Sequence, residues 1–526
     1  MNGKIKTDVI IIGAGPTGLS LACQLVRYGI DFILIEKNAT VTSHSKAIGV
    51  QARTLEIYEQ LGLAQQAVSH GQIARKICLL TGGKIRAEIN LSNMGLGLSP
   101  YPYLLFLEQS KNEQLLYEYL LNHQKNVLWN TELDNFTQTE IAVTAQVKTL
   151  DGDFQVIEAQ YLVGCDGAKS LVRNKLGLSF EGSTLERLFY VADVQIDWPF
   201  SHDAGYACLA PASTALFFPM EGEKQYRIIG TFPEGLDKDE GEFLYEEIEQ
   251  RIQHDTKLAL DISKVNWFSV YKVHSRGVNK FSEGRCFVAG DAAHIHSPAG
   301  AQGMNTGIQD AYNLAWKIAF VIKGYADEKL LETYNEERLP NSKKLLQTTD
   351  RAFAVLIGSN RVIGLLRMTI FPTLLRYLFK LNVIGKLAFL FISQTRIHYR
   401  NASLSMRNDN KIFKVKAGDR MPYFLIDGER VYNRLHQPKF HFLVFSNLPT
   451  HFKMLEMELA HQYREFFDCS EILLDSKVTE VFGMNTSFVV LLRPDNHIAF
   501  ISTEISLNEL SVYMDRFFCN SKLQVT

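Results

Sequence analysis

A carboxylate, Asp291, and four glycines, Gly290, Gly300, Gly303 and Gly307, fall within residues 290–307 of the segment 284–318, GRCFVAGDAAHIHSPAGAQGMNTGIQDAYNLAWKI. A short apolar strand, Cys286 to Ala289, delivers Gly290-Asp291 at its end, where a carboxylate can bond hydroxyl groups. Gly300 and Gly303 leave bare backbone, and a helix beginning near Met304 turns its N-terminus back toward them. That combination suits a polyhydroxylated, anionic ligand. His294 and His296 share the loop, but no carboxylate or cysteine completes a ligand set, so they are read as structural and no metal is expected.

A second motif opens the chain. Asp8-Val-Ile-Ile-Ile-Gly13-Ala-Gly15-Pro-Thr-Gly18 reads as strand, tight turn and helix. Gly13 permits the turn, Gly15 lets backbone approach a pyrophosphate, and Gly18 lets helix and strand pack closely. The helix closes near Gly29, and the next strand, Asp31 to Ile35, ends on Glu36. An acid there can accept ribose hydroxyls and repels a 2′-phosphate. Lys37 is grouped with it as cofactor-binding. Lys46 and Arg53 sit at or before the start of a helix striped by Leu55, Ile57, Tyr58 and Leu61 and stopped by Gly62. Cations there do not help the helix dipole, so both are assigned to an anion such as a pyrophosphate. A third strand-end motif, Tyr161-Leu-Val-Gly-Cys-Asp166-Gly167, leads into a short helix carrying Arg173. Together these imply one large flavin nucleotide clasped from both ends.

The elements that must position these motifs belong to a chain of 526 residues, 46% apolar and 21% charged, with net charge −2. This is ordinary globular composition, and the absence of a basic block argues against nucleic acid as a partner. The seven cysteines show neither C-x-x-C nor zinc spacing and read as buried thiols of a reducing, cytoplasmic compartment. The apolar stretch from Arg351 to Ser393 is interrupted by Arg361, Arg367, Arg376, Lys380 and Lys386, too often for a membrane span. It reads as packed helices, with a peripheral contact to a membrane or partner as the alternative.

Segments Tyr190–Asp197, Tyr206–Met220, Gln225–Thr231 and Val265–His274 read as antiparallel strands with a hairpin turn at Glu221–Lys224. Tyr206, Phe217, Phe218, Pro219 and Met220 are candidates for an apolar pocket; Arg227, Tyr271, His274 and Arg276 are candidate polar or catalytic contacts. In the tail, strands are expected at 439–446, 472–475, 487–493 and 498–503, and a helix at 454–465. A turn at Pro494–His497 and a final helix with a Ser506-to-Glu509 capping box complete it.

The three motifs, with Glu36 and Arg173, resemble the FAD-dependent aromatic-ring hydroxylases, particularly the phenol hydroxylase, pentachlorophenol monooxygenase and rifampicin monooxygenase branch. The likeness continues through Leu331-x-x-Tyr334-x-x-Glu337-Arg338-x-Pro340 and Ile397-x-Tyr399-Arg400-x-x-Ser403-Leu404-Ser405. It implies an α/β architecture: a Rossmann-like FAD-binding domain (1–75, 101–180 and 282–345) with an inserted antiparallel substrate-binding sheet (76–100 and 181–281). A helical segment (346–405) and a thioredoxin-like C-terminal domain (410–526), without a redox C-x-x-C, would follow. It further implies that Asp291 binds the ribityl chain and that Pro298 lies beside the isoalloxazine ring. Gly303, Met304 and Asn305 would meet the pyrimidine edge, Gln109 would touch FAD, and Asp166 would serve the pyrophosphate and nicotinamide cofactor. Lys46 departs from the arginine usual in the family.

The activity implied is hydroxylation of a small aromatic substrate (phenol-like, polyketide or antibiotic) with FAD, NADPH or NADH, and O₂, through a flavin C4a-hydroperoxide. The chain would act as a monomer or homodimer. Competing readings are an epoxidase, halogenase or prenyl reductase on the same scaffold, or a non-catalytic FAD-binding protein. The tryptophans form no W-x-W-x-I-P signature of halogenases.

Overall fold

Strand Val9–Ile12 is wholly buried, and its unbroken apolar run reflects cover on both faces. In the computed structural model it lies parallel to both Tyr161–Gly164 and Phe32–Ile35. The full sheet runs Ser282–Glu283, Cys286–Val288, Tyr161–Gly164, Val9–Ile12, Phe32–Ile35, Val127–Leu128, and only its first pair is antiparallel. The three glycine motifs therefore leave the same ends of three neighbouring strands. That is how segments far apart in sequence come to share one site. The structure describes residues 4–43, 47–210, 213–232, 242–258, 260–297, 300–357, 361–406, 412–447, 457, 463, 465–504 and 507–518.

An eight-stranded sheet stands beside it, in the order His294–Ile295, Asp261–Val278, Phe180–Asp197, Gln225–Thr231, Thr214–Pro219, Ala204–Leu209, Lys76–Thr81, Lys84–Asn90. The turn expected at Glu221–Lys224 forms, with Pro219 paired to Tyr226 and positive φ at Gly222 and Lys224. The single strand expected over Tyr206–Met220 is instead two antiparallel strands, Ala204–Leu209 and Thr214–Pro219. The hairpin Lys76–Thr81 and Lys84–Asn90, turning on Gly82 and Gly83, was not legible as strands. Nor was the sheet of Ile5–Lys6, Phe154–Ala159, Val143–Lys148 and Glu132–Gln138.

The stretch Arg351–Ser393 expected to be helical falls in helices Lys329–Ile357, Arg361–Leu378 and Asn382–Ile392, the first of which begins well upstream of it. Among the described residues no helix is long and apolar enough to cross a membrane. The tail forms a four-stranded sheet, Phe467–Leu473, Phe440–Ser446, Phe488–Leu492, Ile498–Ser502. Most of the expected helix 454–465, and Ser506 of the expected capping box, lie outside the described residues. Six cysteines among the described residues are free thiols.

The tail is joined to the rest by a continuous core. Trp316 and Phe320, on helix Gly303–Ile322, pack edge-on against Phe440. The turn expected at Pro494–His497 packs against that helix, where the Pro494 carbonyl meets the Tyr312 hydroxyl and Asp495 meets Asn313. Arg493, Asp495, Asn496 and His497 are at most 3% exposed. Arg493 forks onto Glu337 and Asp495, and Glu337 also accepts from Lys317 Nζ at 2.8 Å and Asn313 Nδ2 at 2.7 Å. Burial alone would raise the Glu337 carboxyl, but Arg493 and Lys317 outweigh it and hold it at about 2.

Candidate active site

The sheet ends, the start of helix Gly303–Ile322 and one face of the eight-stranded sheet enclose a cavity of about 630 Å³. Gly15, Pro16 and Thr17 bound one end; Asp291, Gly303 and Met304 bound another; Gln109 joins them. Gly13 and Gly18 stand behind this wall as the turn itself. Gly13 has φ +99°, and a Cβ there would lie 2.5 Å from the Cys165 carbonyl oxygen. Gly290 has φ +61° and fits against Thr17, where a Cβ would lie 2.3 Å from Oγ1. The first and third motifs thus interlock through their glycines.

Glu36 Oε2 accepts the Ala14 N–H at 2.8 Å, and Oε1 accepts from Asn38. This fixes the carboxylate at the end of its strand, with Lys37 exposed beside it. Asp166 caps helix Leu171–Lys175, accepting Ser170 Oγ at 2.5 Å and Leu171 N–H at 2.7 Å, while its neighbours Cys165 and Gly167 line the cavity. Arg173 donates to the carbonyls of Ala168 and Ala292, tying the second motif to the third.

Several sequence candidates are placed elsewhere. Asn305 is fully buried: its Oδ1 accepts from Gln51 N–H and Thr54 Oγ1, and its Nδ2 donates to the Gly49 and Ala301 carbonyls. Its side chain braces the loop and has no donor left for a ligand. Arg53 is 2% exposed and pairs with Glu56 and the Asp495 carbonyl, so it joins the tail rather than meeting an anion. Arg227 forks onto Asp193 across the sheet and reaches the Ala47 carbonyl at 3.1 Å. It and His274, which is exposed and bonded to Thr184, are not on the cavity wall. Arg276 also goes to Thr184, and burial pushes Tyr271 up to about 12. Lys46 and Pro298 lie outside the described residues.

The pleat divides the apolar candidates. Leu216 and Phe218 face the cavity, whereas Phe217, Tyr206 and Tyr226 fill the core behind the sheet. The opposite wall includes Phe371 and Phe389 from the helical segment, residues that periodicity alone could not aim at a site.

Two groups were missed as site residues. Asp310, one turn pattern into the long helix, accepts the Gly290 N–H at 3.0 Å, His294 Nε2 at 2.7 Å and Arg338 Nε at 2.7 Å. Burial opposes its charge, but Arg338 and His294 prevail and its pKa is lowered. Arg338 also meets the Tyr399 hydroxyl, and the Tyr334 hydroxyl meets the Val288 carbonyl. The two later sequence motifs thus brace the Gly290 turn from behind. The second group is His296. Its Nδ1–H donates to the Ser297 carbonyl at 2.9 Å, which leaves Nε2 as an acceptor on the cavity wall, without a partner among the described residues.

Burial lowers His296 to about 4, so the imidazole is neutral through the physiological range. An unfolded chain takes up this proton near pH ~6.5 and the folded chain does not, so stability falls as pH drops from ~6.5 toward 4. His296→Phe is expected to remove about one proton from the pH dependence of unfolding across that window. Denaturant midpoints at closely spaced pH values measure it.

The chain matches a family model described as FAD binding domain over residues 6–349. It is 34% identical over 457 residues to a flavin-dependent monooxygenase of Mycobacteroides abscessus, covering 83% of this chain and 88% of that one. It is 36% identical over 361 residues to 6-methylpretetramide 4-monooxygenase of Streptomyces rimosus; that match takes in 68% of this chain but only 63% of the relative's length. Among solved structures, OxyS anhydrotetracycline hydroxylase from Streptomyces rimosus superposes with TM-score 0.76 at 26% identity, covering 98% and 99% of the two chains.

Proposed function

This chain belongs to the FAD-binding family of flavin-dependent aromatic monooxygenases, and we propose that it hydroxylates an apolar, electron-rich polycyclic or phenolic substrate. Enzyme class and FAD follow from membership; the substrate, NADPH or NADH as reductant, and O₂ are the proposal. One observation supports it above the rest. A single cavity joins the bare Gly15 turn, the N-terminus of a twenty-residue helix at Gly303, and an apolar sheet face.

The donor set fits the cofactor. Among the described residues, nothing beyond the chain neighbours of Gly15 lies within 4 Å of where its Cβ would be, leaving room for a diphosphate at the start of helix Pro16–Tyr28. Asp291, Gly303 and Met304 line the cavity; Asp291 would bond the ribityl hydroxyls, and the Gly303 and Met304 N–H groups, with their helix dipole, would stabilise negative charge on the ring. When bound, FAD would supply the redox chemistry, by which two electrons from NAD(P)H and O₂ put one oxygen atom on the aromatic ring and release the other as water. The chain does the rest. Leu216, Phe218, Phe371 and Phe389 exclude water from the substrate end. His296 Nε2 accepts a hydrogen bond from a phenolic hydroxyl, orienting it without taking its proton, since its basicity is low.

The same proposal includes the domain limits given above, a Rossmann-like first unit supported by the parallel strand order, and a thioredoxin-like tail supported by its mixed four-stranded sheet. A cytoplasmic location and a monomeric or homodimeric state belong to it also. The test is a screen of aromatic compounds for stimulated NADPH and NADH oxidation, with mass spectrometry for a product gaining one oxygen atom. Stimulated oxidation with no oxygenated product for any compound would contradict hydroxylation. Asp291→Ala is expected to purify colourless with its fold intact by circular dichroism; full FAD occupancy would remove Asp291 from the binding set.

A further inference from the structure

The helices Arg361–Leu378 and Asn382–Ile392 have an inner face that is accounted for and an outer face that is not. Inward, Phe371, Phe389 and Ile392 line the cavity, and Leu375 and Phe379 pack on the main core. Outward, Ile370, Leu374 and Tyr377 are 50–62% exposed, at the i, i+4, i+7 spacing of one helical stripe. Val383, Leu387 and Phe391 are 48–68% exposed at i, i+4, i+8 on the next helix, and Leu381 at the joint is 58% exposed. Each helix thus carries an exposed apolar stripe, more regular than scattered surface residues explain.

Its charge is one-sided. From Arg351 to Arg400 the chain carries eight Lys or Arg residues and no Asp or Glu, although the whole protein has net charge −2. Arg376, Lys380, Lys386 and Arg396 are exposed beside the apolar stripe. We propose that this face docks in the plane of an anionic lipid surface, its aliphatic and aromatic side chains entering the headgroup boundary and its cations meeting lipid phosphates. No described helix is fit to span a bilayer, so the contact is peripheral. A second copy of the chain fits the face poorly. A two-fold contact would set this cationic segment against itself, with no acid inside it to pair. Docking in this way holds the cavity, which the same helices wall, close to a reservoir of apolar compounds.

The test uses the full-length FAD-loaded protein sedimented with vesicles of phosphatidylglycerol and phosphatidylcholine, and with vesicles of phosphatidylcholine alone. Binding is expected only with the anionic lipid and is expected to weaken as salt rises. Arg376→Gln, Lys380→Gln and Lys386→Gln together should reduce binding roughly 100-fold, at about a fivefold loss per cation. Ile370→Ser, Leu374→Ser and Val383→Ser together should also abolish it. Neither triple variant touches the cavity wall, so flavin absorbance and melting temperature should match the wild type. Equal binding to both vesicle types, or none to either, overturns the proposal. So does a dimer, seen by analytical ultracentrifugation without lipid, that the serine variant dissociates. These readouts are independent of turnover, so a failed substrate screen leaves them interpretable.

Discussion

Arg493→Leu is expected to lower the unfolding free energy by about 3–5 kcal/mol, read from urea unfolding, because it strands two buried carboxylates. Arg493 is 0% exposed and binds Glu337 and Asp495 at once. Without it, Glu337 keeps Lys317 and Asn313, while Asp495 keeps His497, a weak partner whose own charge is disfavoured by burial. The loss should exceed that from breaking an exposed pair such as Lys477 with Glu480, whose attraction is screened by solvent. The wild type should show a related acid sensitivity. Glu337 is held at about 2 when folded and titrates near ~4.3 when unfolded. Its stabilisation is therefore complete above pH ~4.3 and is lost as pH falls toward 2. In Arg493→Leu the acid limb should move to higher pH, since Glu337 loses its principal cation. An unchanged acid limb would mean that the turn Pro494–His497 is held by packing alone.

That cluster shows which parts of the molecule the sequence discloses. The strand-to-glycine turns are local: Val9–Ile12 followed by Gly13, and Cys286–Val288 followed by Gly290, carry their geometry in a few consecutive residues. These turns could be read directly. The Pro494–His497 turn was equally legible as a turn, but its burial depends on Glu337 and Lys317, on helices well over a hundred residues earlier. Asn305 and Arg53 fail for the same reason. Their residue types suit ligand binding, yet their hydrogen bonds close on Gln51, Thr54, Glu56 and Asp495, partners that only the fold brings near. The apolar pocket was half legible. Alternation identifies Phe217 and Phe218 as opposite-facing, but not which of the two faces holds the site. Phe371 and Phe389 sit in a helical segment whose pattern shows an apolar stripe on each side.

The glycines of the first motif give the sharpest separation of fold from ligand. A Cβ on Gly18 would lie 1.9 Å from the Gly13 carbonyl oxygen, a backbone atom fixed by the sheet. Gly18→Ala must therefore displace the helix from the strand, and it is expected to destabilise the protein with or without cofactor, by about 3 kcal/mol or more. Gly15 is the opposite case. Its φ of −73° is open to any residue, and among the described residues nothing beyond its chain neighbours lies within 4 Å of its would-be Cβ. Gly15→Val should lower the apoprotein's melting temperature by only a few degrees at most, the effect of about 0.5–1 kcal/mol at an N-cap. It should weaken FAD binding about 100-fold, roughly 3 kcal/mol, because the new side chain occupies the space a diphosphate needs. Fluorescence titration of FAD into apoprotein measures this. An unchanged dissociation constant for Gly15→Val would place the diphosphate elsewhere and leave the turn with a purely architectural role.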